Sequence, residues 1–401
     1  MQTDCRGFLR LPVRLIGFVA ICVAFTSGPP AVQSFDGTEI RPQVRIGVLG
    51  LFHPRELTVR AMDGHAIVLR AGDQAATLET SSGLNVAKVT LIDSSLSLKA
   101  GTRSVVGPKV TVSDRSGEPG DFILGVPGKL SRHYRGSLEI KPSGGQLIAV
   151  VTMDREMAVA SIVAAESAPG APLEALKAQA VAVRSYLVSS HGRHTQFDFC
   201  DTTHCQFLRE APAATSAAAR ATAATKGLVL AYNTEPFAAM YTRSCSGHTR
   251  TPAQEGLHRG TYPYYSVECS HCIAHPARWT ARLSTADAAG LRASDESARL
   301  RVTRRLGWGS VPSSDFVAKK NGNQIVLQGS GYGHGIGLCQ AGARAMAESG
   351  ASFQEILNHY YPNTEIVRLK AIQAWTGAWQ PVARHRLIRF NTNKSDIVDP
   401  N

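Results

Sequence analysis

The 401-residue chain contains no internal repeat, which excludes solenoid and propeller architectures. Charged residues make up only 18% and apolar residues 43%; this balance excludes wholesale disorder, collagen-like chains and coiled coils, and provides for a real core. No cluster of Lys and Arg interleaved with aromatics occurs, so a dedicated nucleic-acid surface is not expected. There is no Gly-Lys-Ser/Thr phosphate loop and no HExxH helix. Beyond the first thirty residues no run is apolar for the roughly 20 residues that a spanning helix needs. What the chain does have is positive charge, +12 with His neutral. A field of that sign favours polyanions, among them the anionic polymers of a bacterial envelope.

The N-terminal residues suggest a compartment. Arg6, Arg10 and Arg14 precede the apolar run Leu15–Phe25, which is followed by Thr26, Ser27, Gly28 and Pro29. A basic stretch, a short apolar run and small residues read as a secretory signal over residues 1–28. The chain is therefore expected to be exported, to the periplasm or cell envelope, and to be held at a membrane only if that segment is retained. Ile21 before Cys22 argues against a lipoprotein. Of eight cysteines, Cys5 and Cys22 fall in the signal, leaving Cys200, Cys205, Cys245, Cys269, Cys272 and Cys339. An even number in an oxidising compartment reads as disulfides unless the spacing argues for metal.

The rest of the chain reads as α+β: a β-rich N-terminal module followed by a mixed helical and β catalytic domain. Residues 29–42 read as a polar linker and residues 43–151 as the β-rich module. Its short runs include Val44–Leu51, Leu57–Ala61, Ala66–Leu69, Val86–Leu91, Phe122–Val126 and Leu147–Val151, punctuated by turn dipeptides such as Asp63-Gly64. Residues 152–370 form the second domain, and residues 371–401 a basic tail. Asp154 can cap a helix carrying Met157, Val159, Ile162 and Val163. Pro172 opens a second helix, in which Leu173, Leu176, Ala180, Val183, Leu187 and Val188 recur at helical spacing. An Ala-rich helix is expected over 212–225, strands over Gly227–Tyr232, Phe237–Tyr241 and Gln324–Gln328, and a helical region over Thr285–Leu300. Helices over Ala341–Glu348 and Ser352–Tyr360 follow.

Four constellations could carry chemistry. Glu166 ends the first helix beside apolar side chains, where the helix dipole and burial both disfavour its ionised form, as a general acid requires; the alternative is a solvated glutamate at a frayed end. Arg184 shares the apolar face of the second helix, which implies a carboxylate or ligand partner, or a stem that packs while its head reaches water. His194, Cys200, His204 and Cys205 offer two imidazoles and two thiols, a complete tetrahedral set for structural zinc; the alternative is a Cys200–Cys205 disulfide. Cys269-Ser-His-Cys272 is either a metal knuckle or a local disulfide, with Cys245 as an additional partner. Alternating glycines from Gly329 to Gly337 suggest backbone closely approached by a ligand or another segment, with Tyr332 and His334 projecting from it.

The blocks IVAAESAPGAPLEALKAQAVAVRSYL (162–187), CDTTHCQ (200–206), YTRSCSGHT (241–249) and GYGHGIGLCQAGARAMAESGASFQEILNHYYPNT (331–364) occur in that order. With them the chain resembles, from about Met153 to Thr364, the stage II sporulation protein D family of peptidoglycan enzymes, a family broader than sporulation. The resemblance implies a lytic transglycosylase cleaving the MurNAc–GlcNAc bond of glycan strands. Glu166 falls on the family's catalytic glutamate and Arg184 on a functionally important arginine, and the resemblance implies the two as catalytic residues. Glycan contacts are implied at Tyr241 and at Tyr360 or Tyr361, and Tyr186, Tyr332, His334 and Gln340 are taken with them as substrate-facing positions. Zinc at His194, Cys200, His204 and Cys205 is implied as a structural ion, not required for the chemistry. Two departures stand out: Ser167-Ala168 where Met-Pro is common, and Cys339 where a small polar residue usually precedes Gln340. A lytic transglycosylase can work with one carboxyl, whereas hydrolytic glycosidases usually need two. Asp198 and Asp201 are candidates for a second, which keeps a muramidase open. The alternative function is a non-catalytic murein-binding protein that localises or activates a cell-wall amidase. A zinc peptidase is disfavoured, because the Cys-rich cluster leaves no open position.

Overall fold

The computed structural model describes residues 33–35, 42–190, 194–257 and 260–369. The segments read as a signal and a basic tail, and most of the one read as a linker, lie outside the described residues. The protein is α+β. Its N-terminal half is built on a 12-stranded, nearly closed sheet. Alternation drives these strands: Glu56–Ala61 buries Leu57, Val59 and Ala61 and turns Thr58 and Arg60 outward. The 14-residue strand Leu130–Ser143 links the parts of the sheet. Its first half pairs with Gly120–Val126, and its second half with Gln146–Asp154 on one side and Val110–Asp114 on the other. Gly136 sits at this switch, where a Cβ would overlap the Thr152 carbonyl. Gln74–Glu79, Ser95–Ala100 and Arg103–Gly107 are strands that the sequence reading passes over, since Ala, Ser and Lys dilute their alternation.

The last residue of strand Gln146–Asp154 caps helix α1 (Arg155–Glu166), with Asp154 Oδ1 accepting from the Glu156 and Met157 amides at 2.8 and 3.1 Å. Helix α2 (Leu173–Ser189) follows after Pro172. One continuous core joins the sheet to α1 and to Leu176, Ala180, Val183 and Leu187 of α2. The opposite side of α2 presents Ala175, Ala178, Val181 and Ala182 to a second core, containing Leu228, Phe237, Tyr262, Ile336, Leu338 and Tyr361. With a core on each side, α2 has almost no solvent face. Helix α3 (Ala217–Ala224) starts at its Ser216 cap, later than the Ala-rich run suggests, and packs on α1 and α2.

Arg184 lies inside this layer with 0% exposure. Its Nε and Nη2 donate to the two carboxylate oxygens of Glu156, at 2.8 and 2.6 Å. Nη1 donates to the Leu228 carbonyl at 2.9 Å, and Nη2 to that of Thr222 at 3.3 Å. One guanidinium thus ties α2 to the start of α1, the end of α3 and the strand Leu228–Tyr232.

Elsewhere the chain departs from expectation at several places. Phe237–Tyr241 is not a strand, because tyrosine hydroxyls replace strand partners: Tyr264 donates to the Ala238 carbonyl and Tyr361 to that of Met240. Only Tyr241–Thr242 pairs, in parallel with Leu338–Cys339. The helix expected over 285–300 is α5 at Glu296–Leu306, capped by Asp295. It lies beside a three-stranded sheet of Arg278–Ser284, Gln324–Ser330 and Phe316–Asn321. Within the segment read as a linker, Gln33–Phe35 pairs in parallel with Glu365–Leu369. A short helix α4 (Ser270–Ala274) interrupts the loop over 244–276, and α6 (Gln340–Glu348) and α7 (Phe353–Tyr360) close the fold.

Removing one partner of a buried ion pair leaves the other charge uncompensated, at a cost of about 3–5 kcal/mol. Glu156→Met is expected to destabilise the chain by about that amount in urea unfolding, since it strands the wholly buried Arg184. Adding Arg184→Met should recover part of the loss. Equal stability of Glu156→Met and the parent would show that the clamp contributes little.

Candidate active site

Glu166 is the last residue of α1, half-buried where three other segments meet. Its Oε1 accepts from the Phe207 amide. Arg209 lies with its guanidinium 3.2 Å from the centroid of the Phe207 ring and donates to the Asp201 and Leu208 carbonyls. The Tyr241 hydroxyl faces the same carboxyl without a fully formed hydrogen bond, a buried polar group in want of a partner. Gln340 Nε2, at the start of α6, donates to the backbone carbonyl of Glu166 at 3.1 Å. The turn that follows is pinned by Ser167 Oγ donating to Gln179 at 2.9 Å.

Burial is the largest influence on the Glu166 carboxyl and raises its pKa above the ordinary carboxylate range. Tyr241, the Phe207 amide and the Arg209 charge favour the ionised form and offset part of the rise. The net direction is upward, as a proton donor near neutral pH requires.

The expected site residues divide into those that surround Glu166 and those that do not. Tyr241 and Gln340 touch it. His334 supports Tyr241: its ring bonds the Tyr241 backbone, and its Nδ1 accepts from the Ile336 amide at 3.0 Å. Burial lowers its pKa and keeps the imidazole neutral. Tyr186 is 8% exposed and packs on Phe199 in the core rather than at the surface. Tyr332 is half-buried, with Arg243 5.5 Å from its ring centroid.

Two expectations are corrected here. Arg184 does not reach Glu166, because its clamp on Glu156 is ten residues away along α1, about 15 Å at 1.5 Å per residue. Tyr360 and Tyr361, 1% and 0% exposed, are core residues that hold Cys269 and the Met240 carbonyl and offer no face to a glycan. Phe207 and Arg209 were not singled out from the sequence, although they directly follow the CDTTHCQ block.

The alternating glycines are explained by another segment of backbone. Gly331, Gly333, Gly335 and Gly337 all have positive φ and run against residues 240–250. A Cβ at Gly337 would overlap the Met240 carbonyl, so this stretch can hold Tyr241 in place only with glycine there.

The six cysteines of the described residues are all unbridged, so the disulfide expectation is not met. The ligand atoms of His194, Cys200, His204 and Cys205 lie within 4.8 Å of one another. His194 Nε2 is 3.3 Å from Cys205 Sγ, and His204 Nδ1 is 3.7 Å from each sulfur. Zinc bonded to nitrogen at about 2.0 Å and sulfur at about 2.3 Å gives N–S edges of about 3.5 Å, so the donor set fits that ion. The strand Phe199–Cys200 sews this loop to the sheet beside Gln43–Val48. Asp198 and Asp201 are already engaged, Asp198 by the Arg45 amide at 2.9 Å and Asp201 by Arg132 at 3.1 Å and the Leu49 amide at 3.2 Å.

These features define an α+β protein with an environment-tuned carboxyl braced by three other segments. Residues 143–232, which include Glu166, Arg184 and the His/Cys loop, match the sequence profile of the stage II sporulation protein (SpoIID) family. The chain is 29% identical over 267 residues to an uncharacterized protein of Brachyspira hyodysenteriae, covering 58% of this chain and 72% of that one. It is 27% identical over 251 residues to stage II sporulation protein D of Bacillus subtilis, covering 52% and 73%. It is also 27% identical over 274 residues to the amidase enhancer of Bacillus subtilis, covering 48% and 38%. The profile match and these relatives together support a relation to the SpoIID family.

A carboxyl whose pKa is raised by folding stabilises the fold fully below its unfolded pKa, and that contribution is lost as pH rises through the folded value. Glu166→Gln, neutral at every pH, should therefore be more stable than the parent at neutral pH, with the difference vanishing below about pH 4. Thermal melts across that range check the sign; a variant less stable at neutral pH would show that the ionised carboxylate is favoured instead.

Proposed function

We propose that the protein is a peptidoglycan lytic transglycosylase, exported to the periplasm or cell envelope, in which Glu166 is the sole acid and base. The observation that carries this reading is a raised-pKa carboxyl at the meeting of three other segments; burial also raises Asp201, to about 6, but Asp201 is held by Arg132 and the Leu49 amide, and Asp198 by the Arg45 amide. In the first step Glu166 gives its proton to the glycosidic oxygen between MurNAc and GlcNAc, and that bond breaks. In the second, the carboxylate takes the proton of the MurNAc 6-hydroxyl as its oxygen bonds to C1, forming a 1,6-anhydro end and restoring the acid. The Tyr241 hydroxyl is placed to accept or donate a bond beside the reacting oxygens, and Arg209 steadies the carboxylate between steps. A net charge of +12 suits an anionic wall.

A second reading, a murein-binding protein that localises or activates an amidase, is favoured by the relative named amidase enhancer. Mass spectrometry of denuded glycan strands separates the two. The parent should produce anhydro ends, and Glu166→Gln should fold yet lose roughly 10²–10⁴-fold in rate. Reducing ends would instead indicate a hydrolase; no cleavage by the parent would favour the amidase-linked role.

Zinc at His194, Cys200, His204 and Cys205 belongs to this reading as a structural ion, since four protein ligands leave no open position. Its removal by a chelator should lower the melting temperature, and elemental analysis of the native protein should recover it. A chain that binds no zinc through these residues would remove this part of the proposal without touching Glu166.

A further inference from the structure

A second cluster lies in the other core. Cys245, Cys269, Cys272 and Cys339 come from three distant segments, yet their sulfurs lie within 4.8 Å of one another. All four residues are 0–2% exposed. Cys272 and Cys339, 67 positions apart in sequence, have sulfurs 3.6 Å apart, too far for a disulfide. Around one zinc ion with Zn–S bonds of about 2.3 Å, the edge of the sulfur tetrahedron is about 3.8 Å.

From this convergence we propose that Cys245, Cys269, Cys272 and Cys339 bind a structural zinc ion as thiolates. A single ion fits because a polynuclear iron–sulfur cluster would spread its four thiolates further apart. Donors around the sulfurs fit their charge. The Cys245 and Gly342 amides donate to Cys339 Sγ, at 3.3 and 3.5 Å, the second from the first turn of α6. The hydroxyls of Ser244 and Tyr360 lie 3.5 and 3.4 Å from Cys272 and Cys269. Such outer donors orient ligands and lower the cost of burying negative charge. Gly342 makes the room, since a Cβ there would overlap both Cys269 Sγ and the Tyr360 hydroxyl.

The position gives the ion a purpose. Cys339 directly precedes Gln340, which holds the Glu166 carbonyl, and Cys245 follows Tyr241 by four residues. The ion binds these two arms to α4 and to each other. It is a positioning device behind the site, and the proposal stands whichever reaction Glu166 performs.

The test uses the full chain purified without chelator. Elemental analysis should find two zinc ions per chain, and zinc-edge X-ray absorption should average three sulfurs and one nitrogen per zinc, the mean of the two sets. In His194→Ala/Cys200→Ser, one zinc should remain, in an all-sulfur shell. Cys272→Ser should lose one zinc relative to the parent. The parent loaded with cobalt(II) alone should show thiolate-to-cobalt absorption with the intensity of six cobalt–sulfur bonds rather than the two of the His/Cys set, a readout that holds even if a variant fails to fold. A parent chain with one zinc bound by two sulfurs and two nitrogens would overturn the inference. So would a disulfide among the four cysteines in protein recovered from its native compartment, or iron in their place.

Discussion

The structure turns on the burial of α2 from Ala178 to Val188. Between two cores, a polar side chain on that stretch cannot reach water and needs an internal partner. Arg184 is the extreme case. Its planar fork matches the Glu156 carboxylate, and its remaining donors reach carbonyls at the ends of α3 and the adjoining strand. The ion pair fixes the start of α1, and the rigidity of a 12-residue helix carries that fix to Glu166 at the other end. The arginine can be indispensable to the site without touching anything in it.

Glu166 itself is reached from three directions. The loop after the His/Cys set supplies Phe207 and Arg209, the pair Tyr241–Thr242 with Leu338–Cys339 supplies the tyrosine, and α6 supplies Gln340. None of these is held by extensive regular structure. Tyr241–Thr242 is a two-residue strand that survives because glycines let the 331–337 stretch lie against it and because Tyr361 holds the Met240 carbonyl. Side-chain hydrogen bonds and close backbone packing here do what a sheet does elsewhere.

Much of this was legible in the sequence, and the limits have physical reasons. Asp154, Pro172 and Ser352 marked helix starts, because what opens a helix is local chemistry. Strong alternation marked most of the large sheet. The partner of Arg184 could be anticipated as a carboxylate but not identified, because Glu156 is 28 residues away and nothing local specifies it. Tyr360 was misplaced for a related reason: an aromatic in a recognisable block looks the same whether it faces a ligand or a sulfur. The cysteines showed the same limit. Cys269 and Cys272 are near neighbours in sequence and Cys245 could be offered as their partner, but only folding adds Cys339.

The two thiol clusters also bear on how one carboxyl could serve both halves of a reaction. A group that first gives and then takes a proton must remain within hydrogen-bond reach of two different oxygens in succession, and small misplacement is costly. A second carboxylate would relax that demand; here Asp198 and Asp201 are occupied in holding the loop to the sheet. The demand falls instead on the bracing. The His/Cys set gathers the loop that leads to Phe207 and Arg209, the Cys set gathers the arms carrying Tyr241 and Gln340, and the Arg184 clamp fixes the helix. Each contact to Glu166 thus traces back within a few residues to a point where the chain is cross-tied. Oxidation of the second cluster would pull sulfurs now 3.6 Å apart to a covalent distance of about 2 Å, and Gln340, the next residue along, would have to follow. Keeping those sulfurs apart on a metal ion therefore preserves the geometry of the acid as well as the stability of the core.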